Sequence, residues 1–179
     1  VGVSMGGMIS QELALTAPSR VKSLTLIATH AGGQIGFWPG REGAELFVRA
    51  TTGPKRDRPR AFQRLLYPET FLNSVDREAL EARMRDQVGV GISPKTLGSH
   101  LLSVLSHDTR ARLASLTTPT LVVRPGRDVL VRPSRSDELH ALIRGSRLCR
   151  FDEAGHGITF QCAPALNERI GEHLAHVER

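Results

Sequence analysis

The chain has 179 residues, enough for one domain with a buried core, and its 40% hydrophobic and 23% charged residues are ordinary for a globular domain. No apolar run reaches the roughly 20 residues that cross a bilayer, so we expect no stable membrane insertion. The net charge is +6, but the basic residues are scattered and one Trp and one Tyr offer little stacking surface, so we expect no nucleic-acid binding.

The compartment and the oligomeric state stay open at this stage. Cys149 and Cys162 are too far apart for a Cys-x-x-Cys motif, and free thiols fit a reducing, intracellular environment.

The first element is the turn Gly2-Val3-Ser4-Met5-Gly6, which leads directly into a helical pattern. This helix is predicted to end near Pro18, because proline cannot continue a helix. Its apolar face is expected to hold Met5, Met8, Ile9 and Leu13.

Three short apolar segments predict β-strands, at residues 21–29, 118–126 and 146–151. The first two are apolar throughout, which is typical of parallel strands buried on both faces, whereas the third alternates and is expected nearer an edge. Two helical patterns follow the later strands, one closing at Gly145 and one beginning near Pro164. Their apolar stripes consist of Leu139, Leu142 and Ile143, and of Leu166, Ile170, Leu174 and Val177. Strands alternating with helices predict an α/β fold with a parallel sheet.

The long insert between the first two strands, residues 31–116, has helical patterns at 77–88 and 94–105 and no convincing strand pattern. Inserts of this length are usually functional, and often form a lid. We therefore divide the chain into a core segment at 1–35, a helical cap at 36–110 and a second core segment at 111–179.

The turn at Ser4 has the pattern of a nucleophile, although a Gly-x-Ser-x-Gly stretch also occurs by chance as a flexible turn. Between a strand and a helix, such a turn strains the serine backbone and projects its hydroxyl from the sheet edge. Gly2 and Gly6 are expected there because strand and helix crowd together. The following helix N-terminus favours a developing anion, and the Met5 N–H is placed to donate to it.

A serine nucleophile needs a base and a carboxylate that orients the base, and two later loops offer candidates. His156 lies between two glycines after the third strand, and Asp128 follows the second strand, where parallel sheets gather functional groups. His156 has an alternative as a plain loop residue and Asp128 as a turn former, while Asp152 is a rival carboxylate. His30 and His107 are the other histidines that could approach the pocket. The order Ser, Asp, His after successive strands favours a triad.

With these stretches the sequence resembles the α/β-hydrolase superfamily, in its serine-hydrolase or esterase-like form. The resemblance implies that Ser4 is the nucleophile, Asp128 the acid and His156 the base, with the Met5 N–H as half of the oxyanion hole. It implies a small-molecule substrate, no metal and no organic cofactor. The matching segments are GVSMGGMISQELAL, VKSLTLIAT, TPTLVVRPGRDVLVRP and RLCRFDEAGHGITFQ.

The sequence departs from the family pattern in two ways. The family has several strands before the nucleophile turn, one of whose loops gives the second oxyanion donor, whereas here only Val1-Gly2-Val3 precede Ser4. We therefore expect a hydrolase fold whose N-terminal strands are missing, and a chain that is poorly soluble or weakly active on its own. The family often has Gly-x-x-Asp at the acid, and Gly126-Arg127-Asp128 shifts the glycine by one.

The leading hypothesis is a serine hydrolase that cleaves an ester, lactone, thioester or amide bond of a small, acyl-containing molecule. The alternative is a truncated, weak or inactive member of the same fold with a binding role. A mostly apolar cap favours an acyl or alkyl group, whereas four arginines offer selection of a carboxylate: Arg41, Arg49, Arg60 and Arg64. The residues expected on the inner wall of the cap, or in packing between its helices, are Phe37, Trp38, Phe47, Phe62, Leu65, Tyr67, Phe71 and Met84.

Overall fold

A computed structural model describes residues 1–33, 39–88 and 93–177 of the chain. The strands are β1 (Gly2–Val3), β2 (Leu24–Ile27), β3 (Thr120–Pro125) and β4 (Arg147–Phe151). The longer helices of the core are α1 (Met5–Thr16), α7 (Pro133–Leu142) and α9 (Ala163–Val177), with the short α8 at Ile158–Gln161. The helices between β2 and β3 are α2 (Arg41–Thr52), α3 (Arg58–Leu66), α4 (Glu69–Ser74), α5 (Arg77–Val88) and α6 (Pro94–Ser106).

The four strands form one parallel sheet in the order β1-β2-β3-β4. The register aligns Gly2 with Leu26, Leu26 with Val122, and Val122 with Leu148. Because all four strands run the same way, the loops that follow β1, β3 and β4 leave the sheet at the same edge. This confirms the predicted parallel α/β arrangement and brings the Ser4 turn and the two candidate loops to one rim.

The sheet is covered on both faces, as the apolar strand sequences predict. Alternate residues of β2 and β3 enter two separate clusters, since neighbouring side chains of a strand point to opposite faces. Leu26 and Val122 pack with residues of α1 and α7, whereas Ile27 and Val123 pack with residues of α8 and α9. β4 exposes its arginines at positions 147 and 150, which confirms its predicted position near an edge.

Helix α1 begins at Met5 as predicted, but its buried face differs from the expected one. The buried residues are Gly7, Met8, Gln11 and Ala14. Ile9 and Leu13 are 60% and 48% exposed, so their placement on the buried face was wrong. In α9, likewise, Leu174 is exposed and His173 is buried in the stripe where an apolar residue was expected. A mostly apolar helix offers two possible buried faces, and contacts with the sheet decide between them.

The insert between β2 and β3 consists of α2 to α6 within the described residues, and α5 and α6 lie where the sequence predicts helices. The two ends of the insert are joined by an antiparallel bridge between Gly32 and Asp108 and by a hydrogen bond from Thr109 N–H to the Ala31 carbonyl (2.8 Å). The insert therefore leaves and re-enters the core at one place. Among the described helices, none is long and apolar enough to span a membrane.

Candidate functional site

Ser4 lies between β1 and α1 in a backbone conformation that a residue with a side chain rarely adopts, with φ 52° and ψ −122°. Its N–H donates to the Ile27 carbonyl (2.9 Å), and its own carbonyl accepts from the Thr29 hydroxyl (2.7 Å). The strained turn is therefore held by hydrogen bonds from the end of β2. Met5 is the first residue of α1, so its N–H has no acceptor within the helix and is left to bind an anion.

Two glycines make this turn possible, and they are only partly the expected ones. A Cβ on Gly2 would collide with the Gly6 carbonyl, as predicted for the crossing of strand and helix. A Cβ on Gly6 would meet no atom within 4 Å among the described residues, so the crowding expected there was wrong. Gly7 is the tight position instead, because a Cβ there would lie 2.6 Å from the Thr29 side chain. Gly7 thus lets α1 approach the end of β2.

Asp128 and His156 meet at the rim of the sheet. One carboxylate oxygen of Asp128 accepts the N–H groups of Leu130 (2.9 Å) and Val131 (2.8 Å), and the other lies 2.7 Å from His156 Nδ1. The two residues are only 4% and 8% exposed. A buried carboxylate with three hydrogen bonds can fix the orientation of an imidazole and stabilise its cation.

Backbone contacts between the two loops bring this pair together. Gly126 N–H donates to the Phe151 carbonyl (2.9 Å), and Arg127 N–H donates to the Ala154 carbonyl (2.8 Å). A Cβ on Gly126 would overlap the carbonyl of Asp152, which explains why a glycine occupies this position of the acid loop. Asp152 itself is exposed and pairs with Arg124 (3.4 Å), so it is not the carboxylate that meets His156.

Ser4 lines a cavity of about 300 Å³ whose walls are almost entirely apolar. The side chains come from α1, from α2 and α6 of the insert, and from the loop after Asp128. The lining residues are Ser4, Met8, Pro39, Ala44, Phe47, Val48, Leu101, Val104, Leu130 and Val131. The cavity therefore connects the Ser4 turn with the loop that carries Asp128.

The structure joins two of the three predicted catalytic residues by a hydrogen bond. Asp128 and His156 are bonded, whereas the Ser4 hydroxyl takes part in no hydrogen bond within residues 1–33, 39–88 and 93–177. In sites of this kind the contact between nucleophile and base is often long without substrate and shortens on binding. The catalytic role of the three residues together is therefore a proposal, taken up below.

The match to known proteins agrees with this geometry. A family model for the alpha/beta hydrolase fold covers residues 1–161, which include all four strands and the loops of Ser4, Asp128 and His156. The chain belongs to the alpha/beta hydrolase fold family.

Relatives of this hydrolase-fold chain include esterases. The pimeloyl-[acyl-carrier protein] methyl ester esterase of Nitrosomonas europaea is 30% identical over 159 residues, or 87% of this chain and 62% of that protein. A crystal structure of a hydrolase from Pseudomonas aeruginosa is 26% identical with a TM-score of 0.75, covering 97% of this chain and 63% of that one. The enol-lactonase of Burkholderia xenovorans has the same TM-score at 23% identity, covering 97% and 64%. The chain thus spans less than two thirds of the length of these relatives.

The aromatic residues of the insert take two different positions in this hydrolase fold. Phe47 lines the cavity beside Ser4, as expected for an inner wall. Tyr67, Phe71 and Met84 instead pack in a separate cluster with Phe160 of α8, which matches the alternative of ordinary packing. The other members that were expected on this wall lie elsewhere: Leu65 is buried, Phe62 is half-buried, and Phe37 and Trp38 lie outside the described residues.

Thr29 is a site residue that the sequence did not reveal. Its hydroxyl bonds to the Ser4 carbonyl, and its side chain sets the space above Gly7. The signal that could have identified it is a buried polar residue at the end of an otherwise apolar strand. Cys149 and Cys162 are unpaired, and burial raises the pKa of both thiols. Within the described part of the chain, no group of three or more potential ligands could hold a metal ion.

His30 and His107 do not join the cavity beside Ser4 but lie against each other, with ring centroids 6.0 Å apart. His30 Nδ1 accepts the Gly32 N–H (2.9 Å), so the neutral ring is built into the backbone where the insert begins. His107 lines a second cavity of about 560 Å³ that shares Met8 with the first. The two histidines therefore belong to the base of the insert.

We expect acid to destabilise the fold through His30. Burial, with smaller effects from the charges of His107 and Arg135, lowers the pKa of His30 from 6.5 to about 4. Below pH 6.5 the unfolded chain binds a proton that the folded chain refuses, so the free energy of unfolding falls as pH falls, by about 3 kcal/mol down to pH 4. Urea unfolding at pH 7.0 and 4.5 measures the loss.

A His30→Asn variant keeps an acceptor near the Gly32 N–H but does not titrate, so its loss of stability between these pH values should be smaller by about 2–3 kcal/mol. His100→Asn alters an exposed histidine and serves as the matched control. An unchanged pH dependence in His30→Asn would contradict the assignment.

Proposed function

We propose that the chain is the catalytic part of a serine hydrolase, in which Ser4 is the nucleophile, His156 the base and Asp128 the acid. The observation that carries the proposal is the buried 2.7 Å hydrogen bond between Asp128 and His156, at the same sheet edge as the strained Ser4 turn. A relative that is 30% identical is named as a methyl ester esterase, which supports an ester-type bond as the target.

The proposed reaction begins with attack of Ser4 Oγ on a carbonyl carbon, while His156 Nε2 takes the hydroxyl proton. The oxygen that becomes negative is stabilised by the Met5 N–H at the start of α1. His156 then gives its proton to the leaving alcohol, thiol or amine, and an acyl group remains on Ser4. Water, deprotonated by His156, cleaves this acyl-enzyme and releases the carboxylic acid and free Ser4. Asp128 keeps the imidazole in the required tautomer throughout.

The substrate proposed for this site is a small molecule with an uncharged acyl or alkyl group. The cavity beside Ser4 has about 300 Å³ of almost wholly apolar space, which suits a short hydrocarbon chain and disfavours an unpaired carboxylate. The four arginines considered for carboxylate selection do not line it. Three of them are in ion pairs, Arg41 with Glu45 and both Arg60 and Arg64 with Glu69, and Arg49 is exposed.

The insert is proposed to act as the cap of this cavity, in keeping with the division of the chain at residues 36–110. The support is that α2 and α6 supply five of its lining side chains: Ala44, Phe47, Val48, Leu101 and Val104. Helix α2 also packs on the acid loop, because a Cβ on Gly43 would overlap the carbonyl of Val129. The cap would thereby decide which acyl groups reach Ser4.

A binding role without catalysis is the second candidate, and the free hydroxyl of Ser4 favours it. An alkyl fluorophosphonate probe separates the two, because it reacts with a serine only when the base and oxyanion donor activate it. We expect covalent labelling at Ser4, identified by peptide mass spectrometry and abolished in Ser4→Ala. Ser10→Ala is the matched control, since Ser10 lies on the same helix with its hydroxyl bonded to the Gly6 carbonyl. A folded chain that is not labelled at Ser4 would support the binding role.

A further inference from the structure

The loop of His156 is held by a segment of the insert, residues 66–68, which joins α3 to α4. Gly157 N–H donates to the Leu66 carbonyl (2.8 Å). A Cβ on Gly155 would lie 2.6 Å from the same carbonyl, and a Cβ on Gly157 would overlap the ring of Tyr67. Both glycines beside His156 thus face the insert, and their lack of a side chain is what allows the contact.

Tyr67 is the centre of this contact. Its side chain is 2% exposed, and its ring centroid lies 5.3 Å from that of Phe71 and 6.1 Å from that of Phe160. Phe160 follows His156 by four residues, and its N–H donates to the Gly157 carbonyl (3.0 Å). The Tyr67 ring therefore packs on the histidine loop at Gly157 and on the helix that this loop enters.

The contact acts on the part of His156 that Asp128 does not control. Asp128 fixes the imidazole at Nδ1, but the direction of Nε2 also depends on where the backbone of residue 156 lies. That backbone is flanked by Gly155 and Gly157, which both rest on residues 66 and 67. Since a misplacement of about 1 Å can cost about 10²-fold in rate, the support has catalytic consequences.

We propose that Tyr67 is a positioning residue that holds the histidine loop against the insert and so aims His156 at Ser4. The inference rests on the proposed role of His156 as the base. It assigns to the insert a second task besides lining the cavity, because the same segment that covers the site also keeps the base in place.

The test compares Tyr67→Leu with Tyr67→Phe and Phe71→Leu. The atoms of Tyr67 that face Gly157 are ring carbons, so Tyr67→Phe should retain nearly full activity. Tyr67→Leu should lower kcat for p-nitrophenyl butyrate by about 10–100-fold, with KM within about twofold, because the base is displaced and the cavity is not. Phe71→Leu removes a ring from the same cluster without touching Gly157, and should cost less than about threefold. Equal losses of kcat in Tyr67→Leu and Phe71→Leu would overturn the proposal.

Amide hydrogen exchange gives a measurement that does not depend on catalysis. In Tyr67→Leu the Gly157 N–H should exchange at least about tenfold faster than in the wild type, while amides of β2 and β3 keep their protection. Unchanged exchange at Gly157 would overturn the positioning role even in an active enzyme. Should the wild type show neither hydrolysis nor fluorophosphonate labelling, the proposed function fails, and the exchange result still decides whether Tyr67 holds the loop.

A double-mutant cycle covers the case in which Tyr67→Leu folds poorly. Gly157→Ala places a methyl group against the Tyr67 ring and should lower kcat by about 10-fold or more. In Tyr67→Leu the ring is gone, so adding Gly157→Ala there should cost at most about twofold. If the two substitutions act independently, the contact does not position the base and the proposal is wrong.

Discussion

Asp128→Asn is expected to lower kcat by about 10⁴-fold while leaving the fold intact. One Asp128 oxygen accepts the N–H groups of Leu130 and Val131, so the amide oxygen of an asparagine must take that place. Its NH₂ group then faces His156 Nδ1, which becomes an acceptor and leaves the ring proton on Nε2. An imidazole in that tautomer cannot take a proton from Ser4.

The measurement is kcat on p-nitrophenyl butyrate for both proteins, with thermal unfolding to confirm that the variant is folded. Asp137→Asn is the matched control: this carboxylate pairs with Arg124 (3.1 Å) on α7 and is not bonded to His156, so kcat should stay within about twofold. If Asp128→Asn kept more than a tenth of the wild-type kcat, the Asp128–His156 pair would have no catalytic role.

Leu101→Arg is expected to lower kcat/KM for a butyrate ester by about 10²-fold, because a charge enters a cavity with almost no polar lining. The wild type should in turn prefer a butyrate ester to the matched succinate half-ester by about 10²-fold, since the cavity offers no partner for the second carboxylate. Leu101→Arg should narrow or reverse this preference by supplying such a partner.

The matched control for this substitution is the next residue of α6. Leu102 is 67% exposed and does not line the cavity, so Leu102→Arg adds the same charge outside the site. Its kcat/KM values for both esters should match the wild type within about threefold. Equal effects of arginine at 101 and 102, or a wild type that cleaves both esters equally well, would mean that this cavity does not receive the acyl group.

The sequence predicts much of the site because its chemistry follows strand ends. Ser4, Asp128 and His156 each come just after a strand of one parallel sheet, so their arrival at one rim follows from local patterns and the parallel direction alone. The Gly2 crossing and the Gly126 turn were also visible as glycines beside these residues, although only the structure shows what each glycine makes room for.

The remaining features depend on contacts between distant parts of the chain. Helical periodicity marks both Phe47 and Tyr67 as apolar positions of the insert, but it does not say that the first meets the cavity and the second meets the histidine loop. The exposed Ile9 and the tight Gly7 have the same origin, because the face that α1 buries is set by its packing on β2. Period gives the stripe, and long-range packing chooses its neighbour.

The bonds at Ser4 separate the molecule into a fixed half and an adaptable half. The Ser4 backbone is tied at its N–H to Ile27 and at its carbonyl to Thr29, so the strand pair and the nucleophile move as one body. Ala44 and Val104, by contrast, reach the cavity only through side chains carried by α2 and α6. Substitutions in those helices can reshape the acceptable acyl group without disturbing the hydroxyl, and new substrate preferences can therefore arise while the reaction stays the same.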